Sequence, residues 1–98
     1  MSDIQSIANR AYLHANKAGF LDYPSLRALK AAVIDKVIGE VEEFKSSKPS
    51  NSFNKDSEQS EIADIILVML SYSALRGYDI NTMIRDKMDY NEKREDHK

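Results

Sequence analysis

The stretch Ser60–Leu70 reads SEIADIILVML. On a helical wheel, at roughly 100° per residue, its apolar letters fall on nearly every side. A helix of that kind is central to a fold or lies in a subunit interface. Glu61, Ile65, Val68, Tyr72 and Leu75 share one direction and Asp64 sits roughly 60° to its side, while Ile62, Ala63, Ile66, Leu67, Met69 and Leu70 cover the rest. Two acids on a helix headed for a core need a physical reason. An interaction with the helix dipole serves Glu58 and is open to Glu61, both in the first turn, but Asp64 lies too far along for it.

Hydrophobic periodicity extends the helical reading in both directions, and no segment shows period-two alternation between turn signals. A first helix is predicted from Asp3 to Ala18, with Ile4, Ile7, Ala8, Ala11, Tyr12, Ala15 and Ala18 as its stripe and Gly19 placed to stop it. A connector, GFLDYP, precedes a second helix from Pro24 to Ser46, with Pro24 in its first turn and Asp22 or Tyr23 near its cap. Residues 46–57 form a polar linker containing Pro49, with Phe53 as its only large apolar residue. The third helix starts near Ser57 and ends before Gly77. Asp79 then caps a fourth, from Ile80 to about Glu95. The expectation is one all-α domain over residues 1–98, four-helix bundle-like, with its central helices completing their core in an oligomer.

The second helix carries the same anomaly as the third. Leu26, Leu29, Val33, Val37 and Phe44 lie within roughly 40° of a common direction, and Glu40 falls inside that arc. Glu43 lies at its edge, whereas Glu42 points to the far side. In the fourth helix Ile80, Met83, Ile84 and Met88 define the apolar side, and Lys87, Asn91, Arg94 and Lys98 prolong the stripe. Ordinary solvation of a helix end that outruns its core is the competing account of that last set.

Composition narrows the functional classes. With 98 residues, 42% hydrophobic and 31% charged, the chain is near the lower end of what buries an adequate core alone, so self-association is expected. A formal net charge of −2 and scattered lysines give no long basic face for a nucleic acid polymer. The absence of cysteine removes disulfide and thiolate-metal frameworks. The N-terminus MSDIQSIANR lacks a signal-peptide pattern, and the longest apolar run is far too short to span a bilayer, which makes a cytoplasmic protein with no membrane partner the expectation.

Two helices that each present two acids one turn apart, EVEE and EIAD, can converge four carboxylates across one helix–helix contact. Without a counter-charge such a cluster is costly, through desolvation and like-charge repulsion. Oxygen-only donors suit Mg²⁺, with Mn²⁺ as an alternative, better than Zn²⁺; a ferritin-like di-iron centre would use Glu-x-x-His pairs. Because Mg²⁺ commonly bridges a few carboxylates and substrate phosphates, a phosphate ester or anhydride is the natural ligand, with Lys87, Asn91 and Arg94 as donors to its oxygens. No phosphate-cradling G-x-x-x-x-G-K-[ST] loop, H-E-x-x-H or G-x-S-x-G motif is present. His14 lies on the flank of the first helix and His97 in the final tail.

The ordered set EVEEF, EIADIILVML and KMDYNEKR, over about Ala32–Arg94, resembles the MazG-like all-α nucleoside triphosphate pyrophosphohydrolases, whose signature is ExxE, a spacer, ExxD, then a Lys…Asn…Arg element. HANKAGFLD is similar to a segment of small stand-alone members. The resemblance implies Mg²⁺-dependent hydrolysis of a (deoxy)nucleoside triphosphate to monophosphate and pyrophosphate, as nucleotide-pool housecleaning. It makes Glu40, Glu43, Glu61 and Asp64 the metal ligands, one of them preparing the attacking water. Lys87, Asn91 and Arg94 become the phosphate-binding residues, and His14, Asn16, Phe20 and Asp22 candidates for the nucleoside end. It also implies dimers or tetramers with sites near subunit contacts. Gly39 stands where many members have a further Glu, and Leu21 where Trp often follows Phe. The alternatives are a relative specialised for one nucleotide, such as dUTP or phosphoribosyl-ATP, and a non-catalytic helical interaction module.

Overall fold

The computed structural model describes residues 3–49, 54 and 57–94; the expectations placed on Phe53, Glu95, His97 and Lys98 fall outside them. Four helices follow in chain order: α1 (Ile4–Lys17), α2 (Leu26–Ser46), α3 (Glu58–Leu75) and α4 (Ile80–Lys93). Each begins on a short polar residue whose side chain accepts a hydrogen bond from an otherwise unpaired first-turn N–H. Asp3 accepts from Ser6 at 2.8 Å, Ser25 from Ala28 at 3.1 Å, Ser57 from Ser60 at 3.3 Å and Asp79 from Thr82 at 3.1 Å. At α2 this corrects the expected start. Ser25 is the cap, so Pro24 precedes the helix, and neither Asp22 nor Tyr23 caps it.

Gly19 and Gly77 stop α1 and α3 as expected, with φ of 82° and 76°. Only a residue without a Cβ adopts that region cheaply. The N–H of Phe20 reaches back to the Ala15 carbonyl (2.9 Å) and that of Tyr78 to Ser73 (3.1 Å), with Gly19 and Gly77 bonding Asn16 and Ala74 inside them. Both ends are therefore Schellman motifs. The polar linker is pinned at its ends, where the Glu58 N–H donates to the Lys48 carbonyl at 3.1 Å in an isolated parallel bridge between Lys48 and Ser57. Among the described residues there is no other β pairing.

The third helix is the hub. It packs against α1 on one side and α2 on the other, and less extensively against α4, while Ile62, Ile66 and Met69 of its apolar surface stay exposed. The fixed junction is Ala8, Leu70 and Ile80, with Ile4 and Ala74 packed against them. Gln5 Oε1 accepts from the Ile80 N–H at 2.9 Å, tying the start of α4 to α1. Ser71 and Ser73, buried in α3, donate to the carbonyls of Leu67 and Met69 at 2.8 Å, so their hydroxyls cost nothing in unmet hydrogen bonding.

The apolar stripes are buried less than their patterns predict. Leu29 is buried but Leu26 and Phe44, at the ends of the α2 stripe, are exposed, and in α4 Ile80 is buried while Met83, Ile84 and Met88 are exposed. A single chain offers α2 and α4 too little partner surface. The chain exposes 7554 Å², against ~5,700 Å² for a compact monomer of this length. Its radius of gyration is 15.1 Å, against about 12.6 Å for a compact chain. No described helix is long and apolar enough to cross a membrane.

Candidate functional site

Glu40 and Glu43 stand one turn apart on α2, Glu61 and Asp64 one turn apart on α3, and the contact between these helices brings the two pairs together. One carboxylate oxygen each from Glu40, Glu43 and Glu61 lies within 4.8 Å of the others. Ligand oxygens on opposite sides of one Mg²⁺ are separated by about 4.2 Å, from bonds of about 2.1 Å, so the cluster has the dimensions of a cation's shell. Asp64 is near enough to raise the pKa of both Glu40 and Glu61 by repulsion. Glu42, exposed, takes no part in the cluster.

The electrostatics are those of a site short of positive charge. Glu61 is only 8% exposed, and its pKa is raised, first by desolvation, then by the charge of Glu43 and a side-chain hydrogen bond with it, and then by the charges of Asp64 and Glu40. Desolvation also leads at Glu40, followed by Asp64 and Glu43; Lys36 opposes them, with its Nζ 3.6 Å from Glu40 Oε1. Glu40 Oε2 and Glu61 Oε2 are buried without a hydrogen-bond partner. A buried, unpaired carboxylate oxygen is expensive. A hard divalent cation would satisfy both at once, so the residues present fit one.

Beside the acids opens a cleft of about 750 Å³ between α1 and α2, floored by α3. This is within the ordinary size range of small-molecule sites, about 300–1,000 Å³. Glu40 and Asp64 line it, joined by His14 and by Phe20, Leu21 and Tyr23 of the connector. The cleft exists because α1 and α2 pack on α3 rather than on each other, and the tight stop at Gly19 folds the connector back over its mouth.

Of the residues proposed for a nucleoside, His14 and Phe20 line this cleft, whereas Asn16 and Asp22 do not. Neither do Lys87, Asn91 and Arg94. Lys87 and Arg94 instead approach the ring of Tyr90, with distances of 4.8 and 5.4 Å to its centroid. Asn91 Oδ1 is buried without a hydrogen-bond partner. Sequence reasoning missed Arg10, Lys36 and Tyr23, all in the cleft wall. Lys36 was within reach of the wheel, since it precedes Glu40 by four residues and lies roughly 40° from it. Arg10 and Tyr23 carried no comparable signal.

Fold and site together define a chain whose described helices carry a carboxylate cluster that runs from buried Glu61 through half-buried Glu40 to exposed Glu43, at one end of a mixed polar and apolar cleft. Compared with known proteins, the chain matches no family model, no curated protein and no solved structure.

Proposed function

We propose that the chain is a metal-dependent pyrophosphohydrolase of nucleoside triphosphates, hydrolysing them to the monophosphate and pyrophosphate, with a MazG-like fold. The observation that carries this reading is the convergence of Glu40, Glu43 and Glu61 within 4.8 Å, with buried, unpaired oxygens on two of them, beside a cleft large enough for a nucleotide. The ordered ExxE, ExxD and Lys…Asn…Arg resemblance supports the same reading from the sequence.

Glu40, Glu43, Glu61 and Asp64 would hold Mg²⁺ or Mn²⁺. When bound, the cation would neutralise the acids and polarise a phosphoryl oxygen. One of the acids takes a proton from water as the water oxygen bonds to phosphorus. The bridging P–O bond breaks and the electron pair leaves with pyrophosphate. His14 and Phe20 face the nucleoside; Lys87, Asn91 and Arg94, the phosphate-binding residues that the sequence resemblance implies, stand off the cleft wall.

Copies of the chain assemble, as a homodimer or homotetramer, to form the working protein. About 1,900 Å² of excess exposed area per chain, the difference from the compact-monomer expectation, is of the order that a permanent interface buries. The outer faces of α2 and α3 offer apolar surface for such an interface: Ile34, Ile38 and Met69 line a shared shallow depression, flanked by exposed Val41, Ile62 and Ile66. The same apolar faces are what favours the second reading, a non-catalytic interaction module. Pyrophosphate release from a panel of nucleoside triphosphates, with Mg²⁺ and then with EDTA, separates the two. EDTA-sensitive release is expected, and no turnover of any nucleotide at micromolar protein would sink the enzyme reading.

A further inference from the structure

The cleft has cations of its own. Arg10 projects from the α1 wall and Lys36 from the α2 wall, and both line it together with Glu40 and Phe20. Lys36 lies between two cleft features, with Nζ 3.6 Å from Glu40 Oε1 and 5.5 Å from the centroid of the Phe20 ring. Arg10 makes no ion pair or side-chain hydrogen bond among the described residues, so its guanidinium retains all its donors for a ligand. Lys87 and Arg94, by contrast, are beside Tyr90 and off the cleft wall.

We propose that Arg10 and Lys36 are phosphate-binding residues of this cleft, grasping the polyphosphate of a nucleotide from its two walls, with the Phe20 ring as the adjoining surface for the base. This rests on the nucleotide reading of the site. Its basis is the order of chemistry along α2. Glu40 marks the cation end, and Lys36 follows one turn away, about 6 Å along the axis. The aromatic ring is next to Lys36. A metal–polyphosphate–base ligand presents its groups in that sequence. Planar guanidinium and mobile ammonium are also the side chains best suited to phosphate oxygens.

Lys36 carries a second consequence. Its ammonium and a divalent cation are drawn to the same Glu40 carboxylate, so Lys36 weakens metal binding while strengthening polyphosphate binding. A purely structural lysine would not move the two affinities in opposite directions.

Isothermal titration of the intact protein with Mn²⁺ alone, then with inorganic tripolyphosphate at saturating Mn²⁺, tests this. Lys36→Met is expected to tighten Mn²⁺ binding severalfold and to weaken tripolyphosphate about tenfold or more; Arg10→Met should weaken tripolyphosphate similarly and leave Mn²⁺ nearly unchanged. Both side chains are exposed, so the variants should keep the helical circular dichroism of the parent. Unchanged tripolyphosphate affinity in both, with a loss in Lys87→Met or Arg94→Met, overturns the assignment while leaving the nucleotide reading intact. If the parent protein binds no Mn²⁺, the nucleotide reading itself fails and takes the assignment with it.

Discussion

Glu40 and Glu61, twenty-one positions apart in sequence and on different helices, each bury an Oε2 that no hydrogen bond satisfies, while carboxylate oxygens of both lie within 4.8 Å of each other and of Glu43. Both have raised pKa values, with desolvation as the first cause and the charges of Glu43 and Asp64 adding to it at each. The α2–α3 contact therefore opposes folding at this one point, and the opposition ends when the negative charge is removed or matched.

Glu61→Gln should accordingly separate stability from function. The amide keeps the shape and removes one charge from a desolvated, mutually repelling set, so the thermal midpoint in EDTA is expected to rise. The same substitution should abolish pyrophosphate release and the stabilisation that Mg²⁺ gives the parent. Differential scanning calorimetry with and without Mg²⁺, beside the activity assay, checks all three; a lower midpoint in EDTA would contradict the electrostatic account. Exchange of Glu42, exposed and outside the cluster, should change none of them.

The pH dependence follows from the sign of the shifts. Glu40 and Glu61 have folded-state pKa values above their unfolded ones. Their contribution favours folding fully below the unfolded value, about 4.3, and is lost as pH rises through the raised folded values. Asp3 and Asp79, whose carboxylates accept N–H groups of Ser6 and Thr82, are shifted down. Their contribution is present above the unfolded value, about 3.9, and is lost as pH falls through the lowered ones. In EDTA, stability should therefore fall as pH rises from the unfolded glutamate value, about 4.3, towards neutrality, and adding Mg²⁺ should reverse that fall. A thermal-midpoint series across this range, with the Glu40→Gln, Glu61→Gln double variant flattening the slope, is the check.

Among the described residues Ile80 is the largest side chain fully removed from solvent, and it sits where α1, α3 and α4 meet. Ile80→Ala should cost about 2–5 kcal/mol, and Ile80→Val only about 0.5–1.5 kcal/mol. Urea unfolding monitored by circular dichroism measures both, and equal costs for the two would mean that the junction is less tightly packed than described.

On the outer faces of α2 and α3, Ile38 and Ile66 are 55% and 50% exposed. Light scattering coupled to size exclusion should give a mass of at least two chains for the parent. Ile38→Glu and Ile66→Glu should shift it towards one chain, since a carboxylate buried in an apolar interface is strongly disfavoured. A parent that elutes as a monomer at high micromolar concentration would leave the excess exposed area without a partner.

Helix number, order and most ends were legible in the sequence because caps and stops are local events. Asp3, Ser57, Asp79, Gly19 and Gly77 act through hydrogen bonds to residues within a few positions. The start of α2 was misread because Pro24 and Ser25 are both good first-turn signals, and the Ser25 hydroxyl took the capping role. The anomalous placement of Glu40, Glu61 and Asp64 was also legible, since burial of a face is a periodic property. What periodicity could not give was the path of one helix past another. That path opens the cleft, brings Arg10 and Lys36 into it, and keeps Asn16, Asp22 and the Lys87–Arg94 stretch off its wall.

The hydrogen bond from Glu58 to Lys48 changes how the chain between them should be regarded. Because the backbone is closed there, at the first residue of α3, the register of EVEE against EIAD is set by the clasp and the helix contact, not by the number of residues in the connection. Lengthening the connection adds only a slowly growing loop entropy. This segment is therefore a natural insertion port. A tag, a probe or a whole guest domain could be spliced into it while the carboxylates keep their spacing, and related chains can differ there in length without losing the site.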